Sequence, residues 1–204
     1  MQIMTTRVLA AALLALFCLL APSDAGAQGN AAAGAEQLLV SLPSPDWQVG
    51  FTDRKPGLVM TEYVPKGQTV KDWTRMMTVQ ILAGSPLGVN DFIAAVKAQG
   101  EAARACDKFT VSPAGTKKTP HFEGALAVLA CSRHKQHGMG ELTLMQALRG
   151  KDALYVVQRA WRGPAFADDN IPIDEAEFKE WLAFMNKVTL CDSRDPQRPC
   201  PGAK

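Results

Sequence analysis

The residues best suited to chemistry lie in one short polar loop. His134 and His137 are three positions apart, and Glu141 follows four positions later. Imidazole nitrogens and carboxylate oxygens bind zinc, and a histidine can also transfer protons near neutral pH. A loop with this spacing needs further ligands to complete a metal site, and Glu141 is the only carboxylate nearby in the sequence. A metal-binding or acid–base role is one hypothesis, and a solvated basic loop is the reading we favour.

Other catalytic patterns do not occur in the sequence. It contains no G-x-S-x-G elbow, no H-E-x-x-H pair, no P-loop and no G-x-G-x-x-G turn. Asp168 and Asp169 are adjacent acids, but the other oxygen ligands of a calcium loop are missing, which favours a solvated loop. The sequence therefore predicts no cofactor. It favours a non-enzymatic protein and leaves enzyme activity open.

The cysteines indicate a disulfide-stabilised exported protein. Removal of a signal peptide would discard Cys18 and leave four of the five cysteines, an even number that is typical of disulfides. Of the three possible connectivities we favour Cys106–Cys131 and Cys191–Cys200, because these cysteines are nearest in sequence. Cys106 is also expected on the buried face at the end of a helix that packs on the sheet holding Cys131. The C-x2-C spacing that zinc sites favour does not occur.

The amino terminus has the three parts of a secretory signal peptide. Arg7 precedes the apolar run Val8–Ala21, and a small A-G-A triplet occupies residues 25–27. We expect cleavage after Ala27 and a periplasmic mature protein. The apolar run is shorter than the roughly 20 residues that span a bilayer, so we expect no membrane span in the mature form.

Charge and length restrict the class of protein further. The formal net charge is only +2, which argues against a dedicated nucleic-acid or membrane-surface binder. The mature chain is long enough for one domain. We expect a flexible leader over residues 28–37, a single domain over 38–190, and a disulfide-closed tail over 191–204.

Alternating apolar residues predict most of a sheet. Residues 122–162 read as a three-stranded antiparallel meander, with runs over Phe122–Cys131, 142–149 and Ala153–Trp161 separated by polar turns. The first run is apolar on both faces, so we expect it to lie centrally with packing on both sides. Upstream, a hairpin is predicted over Trp47–Val64 and a further strand over Thr74–Ala83.

Two helices are predicted around these strands. Asn90 is expected to be the N-cap of the first helix, followed by a strand over Lys108–Ser112 and a basic exposed loop over Pro113–Pro120. Asp174 is expected to cap the second helix, with Glu177 completing a capping box. The apolar stripe of that helix is Phe178, Trp181, Leu182, Met185 and Val188. The fold class is therefore α+β, with a single antiparallel sheet packed by two main helices.

Three segments resemble uncharacterised exported proteins of Gram-negative bacteria. They are Glu62–Trp73 continuing to Gln80, Leu148–Gln158, and Cys191–Cys200. The resemblance spans most of the mature chain and implies export and a shared fold, but no assigned activity. The order of elements is also similar to the Mog1/PsbP-like architecture, a sheet sandwiched by helices that mostly serves binding or assembly.

These observations favour a non-enzymatic periplasmic protein that binds an envelope partner or a small ligand. One alternative is a metal-dependent hydrolase that uses His134, His137 and Glu141. Another is a structural or stress-protective component of the envelope with no discrete ligand. The sequence assigns no binding residues to the first of these functions.

Overall fold

The described part of the chain folds into two antiparallel sheets and two helices. The computed structural model describes residues 32–33, 35–119, 121–167 and 170–201. The predicted signal peptide, residues 1–27, lies outside these ranges, as do Asp168 and Asp169. In chain order the elements are β1 (Ala32–Ala33), β2 (Glu36–Leu39), β3 (Trp47–Lys55), β4 (Leu58–Pro65), β5 (Arg75–Ala83), α1 (Val89–Ala103), β6 (Phe109–Lys118), β7 (Glu123–Cys131), β8 (Gly140–Arg149), β9 (Ala153–Gly163), α2 (Glu175–Lys187) and β10 (Thr189–Asp192).

Seven strands form the main sheet in the order β3-β4-β5-β9-β8-β7-β6, and every neighbouring pair is antiparallel. The meander predicted over residues 122–162 is confirmed as β7, β8 and β9. Strand β7 is packed on both faces, as predicted. It is not the central strand, however. Because β3, β4 and β5 lie beyond β9, the central strand is β9, and β7 lies one strand in from the β6 edge.

The prediction of a single sheet is wrong. Strands β1, β2 and β10 form a second, small sheet in which β2 pairs with β10 from the far end of the chain. Four-residue strands carry too little alternation to be recognised, and nothing in the sequence marks their pairing. The predicted leader over 28–37 overlaps this sheet, since Glu36 and Gln37 belong to β2. The predicted tail over 191–204 begins inside β10.

The two helices pack on opposite faces of the main sheet. This gives a helix–sheet–helix arrangement, because alternate residues of each strand point to opposite sides. The core on the α2 side includes Met77, Val79, Ile81, Leu142, Leu144, Leu148, Tyr155, Val157, Trp181 and Met185. The core on the α1 side includes Val89, Phe92, Ala125, Ala127, Leu129, Met145, Ala147, Leu154 and Val156.

Helix α2 begins as the sequence predicts. Asp174 is the N-cap, and its Oδ1 accepts a hydrogen bond of 2.7 Å from the backbone N–H of Glu177. The Glu177 carboxylate does not complete the capping box. It accepts instead from Nε and Nη2 of Arg75 on β5, at 2.6 and 2.7 Å. This bidentate pair fixes the first turn of α2 to the end of the sheet.

Helix α1 begins two residues earlier than predicted. Its N-cap is Gly88, which has no side-chain cap, and Asn90 lies inside the first turn. The helix ends at Ala103 because Arg104 adopts a left-handed conformation with φ of 48°. Cys106 therefore lies beyond the helix. The prediction that it lies on the buried face of the helix is wrong.

Strand β6 is longer than predicted. The segment 113–118, predicted as part of an exposed loop, continues the strand and pairs with β7. A proline is tolerated here because β6 is an edge strand and needs no hydrogen bond on its outer side. The register shifts between Pro113 and Gly115, which is the irregularity that hid the strand in the sequence.

Both predicted disulfides are formed. The Cα–Cα distance is 5.5 Å for Cys106–Cys131 and 4.9 Å for Cys191–Cys200. The first ties the segment after α1 to the end of β7, and the second closes the segment after β10. Neither α1 nor α2, the helices of the described residues, has the length and apolar content that a membrane span requires.

Candidate functional site

The loop between β7 and β8 brings the three predicted candidates together. The imidazole rings of His134 and His137 are stacked, with centroids 4.2 Å apart and planes 6° from parallel. Nε2 of His137 lies 3.4 Å from Oε1 of Glu141. Each Nδ1 accepts from a backbone N–H two residues later, at 3.2 Å for His134 and 3.3 Å for His137. The spacing of these residues therefore produces a compact cluster.

The geometry of this cluster does not suit a metal ion. A histidine binds a metal through a lone pair in the plane of its ring, and two stacked rings direct these lone pairs along parallel planes. Glu141 is also engaged, because its Oε1 accepts from Nε and Nη2 of Arg162 at 2.9 and 2.8 Å. Across the residues that the structure describes, no three His, Cys, Asp or Glu side chains are grouped as metal ligands.

Burial lowers the pKa of His137 from its usual value, and the neighbouring His134 lowers it further, while Glu141 raises it. His134 is only 4% exposed, and its Nε2 has no hydrogen-bond partner among the described residues. The ring of His137 is therefore held in surroundings that oppose a positive charge. The stack lies beside Cys106, whose backbone forms an isolated antiparallel β-bridge with that of His134.

A second group of polar side chains lies on the α1 side of the main sheet. The register places Glu62 on β4 opposite Thr78 on β5, and Thr78 opposite Gln158 on β9. Gln80 lies two residues beyond Thr78 on the same face, opposite Met60. We call Glu62, Thr78, Gln80 and Gln158 the polar patch. Its members are adjacent because directly opposed and diagonal residues of one face lie about 4.5–8 Å apart.

The polar patch separates two apolar clusters. On one side are residues that pack with α1, including Leu82 and Val156. On the other side, Val64 and Met76 pack beneath Trp73. A sheet face between two such clusters would be filled by apolar side chains if packing alone decided its composition. The polar residues therefore interrupt a continuous core on three neighbouring strands, β4, β5 and β9.

Gln80 is the most deeply buried member of the polar patch. It is 4% exposed, and Thr78 beside it is 8% exposed. Its Nε2 contacts the thioether sulfur of Met60 at 3.7 Å, so the amide points towards β4. Its Oε1 is buried and has no hydrogen-bond partner within the described part of the chain. The free group of this amide is therefore an acceptor.

Glu62 is half-buried above Gln80. Burial raises the pKa of its carboxyl, and the nearby Arg162 only partly opposes this effect. None of the hydrogen bonds or ion pairs of the described residues involves Glu62. A carboxylate in this position is desolvated without being neutralised.

The charged neighbours of Glu62 are already paired. Arg162 is held by Glu141, and its guanidinium lies 4.1 Å from the centre of the Trp73 ring. Asp53 on β3, which is opposite Met60, pairs with Lys55 at 2.7 Å. Glu62 therefore has no ion pair of its own, and Arg162 offsets its charge only in part.

Sequence reasoning missed the polar patch. It predicted a strand over Thr74–Ala83 but assigned no role to Thr78 and Gln80, which alternate with the apolar residues of that strand. Only the strand order, which places β5 beside the central β9 with both faces covered, shows that these polar residues are buried. A sequence signal that could have found the patch is two polar residues that alternate with apolar ones on a strand that has neighbouring strands on both sides.

A third polar group joins the small sheet to the β8–β9 turn. Asp192 is completely buried, and its Oδ1 accepts from Nε of Arg194 at 2.8 Å. Nη2 of Arg194 also reaches Oδ2 of Asp152 at 2.9 Å. Glu36 and Asp152 exchange hydrogen bonds through their backbone N–H groups and carboxylates. Apart from Oε1 of Glu36, which has no hydrogen-bond partner among the described residues, these groups satisfy one another, so we assign them a structural role.

Comparisons with known proteins do not place the chain in a family. No family model matches it, and no curated protein matches it. Among solved structures, LpqN of Mycobacterium tuberculosis, described as involved in cell envelope biogenesis, overlaps with a TM-score of 0.35 and 12% identity. The overlap covers 78% of this chain and 86% of LpqN. A likeness of this extent carries no argument about function.

Proposed function

We propose that this protein is an exported, non-enzymatic binding protein of the cell envelope, and that its partner or small ligand contacts the polar patch. Gln80 carries the proposal. Its side-chain oxygen is buried on a central strand and lacks a hydrogen-bond partner among the described residues. A buried polar atom of this kind costs about 1–3 kcal/mol of folding free energy. A bound molecule that donates to it would recover that free energy.

Glu62 supports the same surface. A desolvated carboxyl with a raised pKa is more frequent at functional sites than elsewhere on a protein. Its diagonal position relative to Gln80 means that one bound group can reach both side chains. The buried, unpartnered Gln80 oxygen and the half-buried Glu62 carboxyl therefore lie within reach of the same bound group.

Catalysis is the weaker candidate. The histidines of the β7–β8 loop are stacked on each other and the Glu141 carboxylate is engaged by Arg162, so this described loop does not hold a base beside a nucleophile. The stacked rings also do not favour the metal-dependent hydrolase considered from the sequence. A purely structural envelope role would leave the polar patch without a purpose.

Export is supported by two independent features. The amino-terminal sequence has the pattern of a signal peptide. The structure forms two disulfides, which persist in oxidising compartments such as the bacterial periplasm. Together these features favour a periplasmic location and a partner or ligand from the envelope.

Photo-crosslinking in cells tests the proposal. A photo-reactive amino acid at position 158, in the polar patch, should give a discrete crosslinked adduct or protein band. The matched control position is 97, which is exposed on the outer side of α1 and should give none. For a small ligand, native mass spectrometry of protein recovered from the periplasm should show an adduct that Glu62→Gln loses. Equal labelling from both positions, with no adduct, would contradict the proposal.

A further inference from the structure

We infer that the polar patch binds a primary ammonium group carried on an unbranched chain, with Glu62 and Gln80 as its acceptors. This inference rests on the proposed function and names the chemistry of its ligand. Three observations carry it: the kind of hydrogen-bonding group left free, the unbalanced charge, and the side chains that surround the two acceptors.

The free groups of the polar patch are acceptors. The Nε2 of Gln80 already contacts Met60, which leaves Oε1 as its unused atom. An ionised Glu62 can only accept, and the Thr78 hydroxyl beside it can accept as well. A complementary ligand must therefore donate several hydrogen bonds from one small group. An ammonium group has three donors and no acceptor.

The charge of the region also selects a cation. Asp53 pairs with Lys55, and Glu141 pairs with Arg162, so these four residues contribute no net charge. Glu62 has no such partner among the described residues, and a desolvated carboxylate attracts a cation more strongly than an exposed one does. An anionic ligand would be repelled by the charge of Glu62 and could not donate a hydrogen bond to the unpaired Gln80 oxygen.

The position of the acceptors suits an ammonium better than a guanidinium. A guanidinium binds best through two parallel hydrogen bonds to one carboxylate in a single plane. Here the acceptors come from separate side chains on neighbouring strands, Glu62 on β4 and Gln80 on β5. Three donors arranged around one nitrogen can point in these different directions.

Methionines border the polar patch. Met60 lies opposite Gln80, Met145 lies opposite Gln158, and Met76 precedes Thr78 by two residues on the same face. Their side chains are unbranched, apolar and adaptable, so they can pack along a flexible methylene chain. All three are buried, with 2%, 1% and 7% of Met60, Met145 and Met76 exposed, so a ligand that reaches Gln80 must shift them, and a short alkyl chain that ends in an ammonium group needs less room than a bulky polar molecule.

Nuclear magnetic resonance titration of the folded, disulfide-bonded protein tests the inference. The probes are 1,5-diaminopentane and Nα-acetyl-lysine N-methylamide, with 1,5-pentanediol and glutarate as neutral and anionic controls. Both amines should shift backbone resonances of β4, β5 and β9 around the polar patch, and the diol and glutarate should not. Tighter binding of diaminopentane would indicate a free amine as the natural ligand, and tighter binding of the lysine derivative would indicate a lysine side chain.

Variants separate a specific site from general attraction of cations. Glu62→Gln and Gln80→Met should each weaken amine binding at least tenfold, and their spectra report whether the fold is retained. Glu123→Gln makes the same chemical change at an exposed residue of β7 and should bind as wild type does. Binding should also weaken as the pH is lowered, because protonated Glu62 loses its charge.

The failures can be told apart. If the diol shifts the polar patch as strongly as the amines do, or if the amines bind equally well to Glu62→Gln, the ammonium inference is wrong and the proposed function stands. If the amines bind only at other surfaces, the inference is likewise overturned. If, in addition, position 158 gives no crosslink and no adduct is found, the proposed function fails as well.

Discussion

Glu62 and Gln80 are diagonal neighbours on one face of the β4–β5 pair, because Glu62 lies opposite Thr78 and Gln80 lies opposite Met60. Gln80 Oε1 is buried without a hydrogen-bond partner among the described residues, and the half-buried carboxyl of Glu62 has a raised pKa. The fold therefore brings a buried, unpartnered acceptor and a partly buried carboxyl together on one face. This relationship links the register of two strands to the proposed binding surface.

The raised pKa of Glu62 predicts a pH-dependent stability. A carboxyl whose pKa is higher in the folded state than its unfolded value of about 4.3 stabilises the fold only while it is protonated. Its contribution is complete below the unfolded pKa and is lost as the pH rises through the folded pKa. At pH 7 Glu62→Gln should therefore be more stable than wild type, by about 0.5 kcal/mol because the group is partly solvated.

Urea unfolding at pH 4 and pH 7 checks this expectation. The advantage of Glu62→Gln should be present at pH 7 and absent at pH 4. Glu123→Gln is the control and should show no such change. A variant that is less stable than wild type at pH 7 would mean that Glu62 makes a favourable contact in the fold.

Asp192 should have the opposite pH dependence. Its hydrogen bonds to Arg194 hold its pKa far below the usual value. A lowered pKa contributes stability that is complete above the unfolded pKa of about 3.9 and is lost as the pH falls below it. Asp192→Asn should cost about 2–3 kcal/mol at pH 7, since the carboxylate is buried and makes charge-assisted hydrogen bonds.

The measurement is the urea midpoint of wild type and Asp192→Asn between pH 7 and pH 2. The difference between the two proteins should shrink as the pH falls through this range. Asp46→Asn, at an exposed residue, should follow wild type throughout. A constant difference at every pH would show that the charge of Asp192 is not the source of the stability.

Trp181 is the residue whose truncation should destabilise the fold most. It is completely buried on α2 in the core on that side of the sheet, and the Arg159 guanidinium lies 5.4 Å from its ring centre. Trp181→Ala should cost about 3–5 kcal/mol through lost burial and the cavity left behind. The denaturation midpoint should fall while the m-value stays similar. An unchanged midpoint together with lost partner binding would identify α2 as the binding surface instead.

The two disulfides should contribute unequally. In the chain-entropy model, closing the loops of Cys106–Cys131 and Cys191–Cys200 contributes about 3.5 and about 2.7 kcal/mol. Replacing the first pair by alanine should therefore lower the thermal midpoint more than replacing the second. Mass spectrometry of a non-reduced digest should find these two pairs. Crossed pairs or free thiols would contradict the connectivity.

The sequence predicts what depends on local patterns. The meander, the Asp174 cap and the stripe around Trp181 each follow from alternation or helical spacing within one segment, and the structure forms all three. The second sheet could not be predicted, because β2 and β10 are short and meet only after the chain has folded. The start of α1 was misplaced because Asn90 is a good cap by type, whereas the backbone turns at Gly88.

The candidate site depends on contacts between residues that are far apart in the sequence. The histidine cluster was found from its spacing, although its stacked geometry could not be. The polar patch was not found, because Glu62, Gln80 and Gln158 belong to three separate strands whose order the sequence does not specify. Polar residues on an alternate strand position look solvated until the neighbouring strands and the packing above them are known.

The central claim is that the polar patch is kept unsatisfied in the free protein so that it can bind. Gln80→Met tests this claim most directly, because methionine keeps the length of the side chain and removes the unpartnered oxygen. We predict that the variant unfolds at a higher urea concentration than wild type, by about 1–2 kcal/mol, and loses the crosslink from position 158. A variant that is less stable and still gives the crosslink would contradict the account, since Gln80 would then serve the fold and not a ligand.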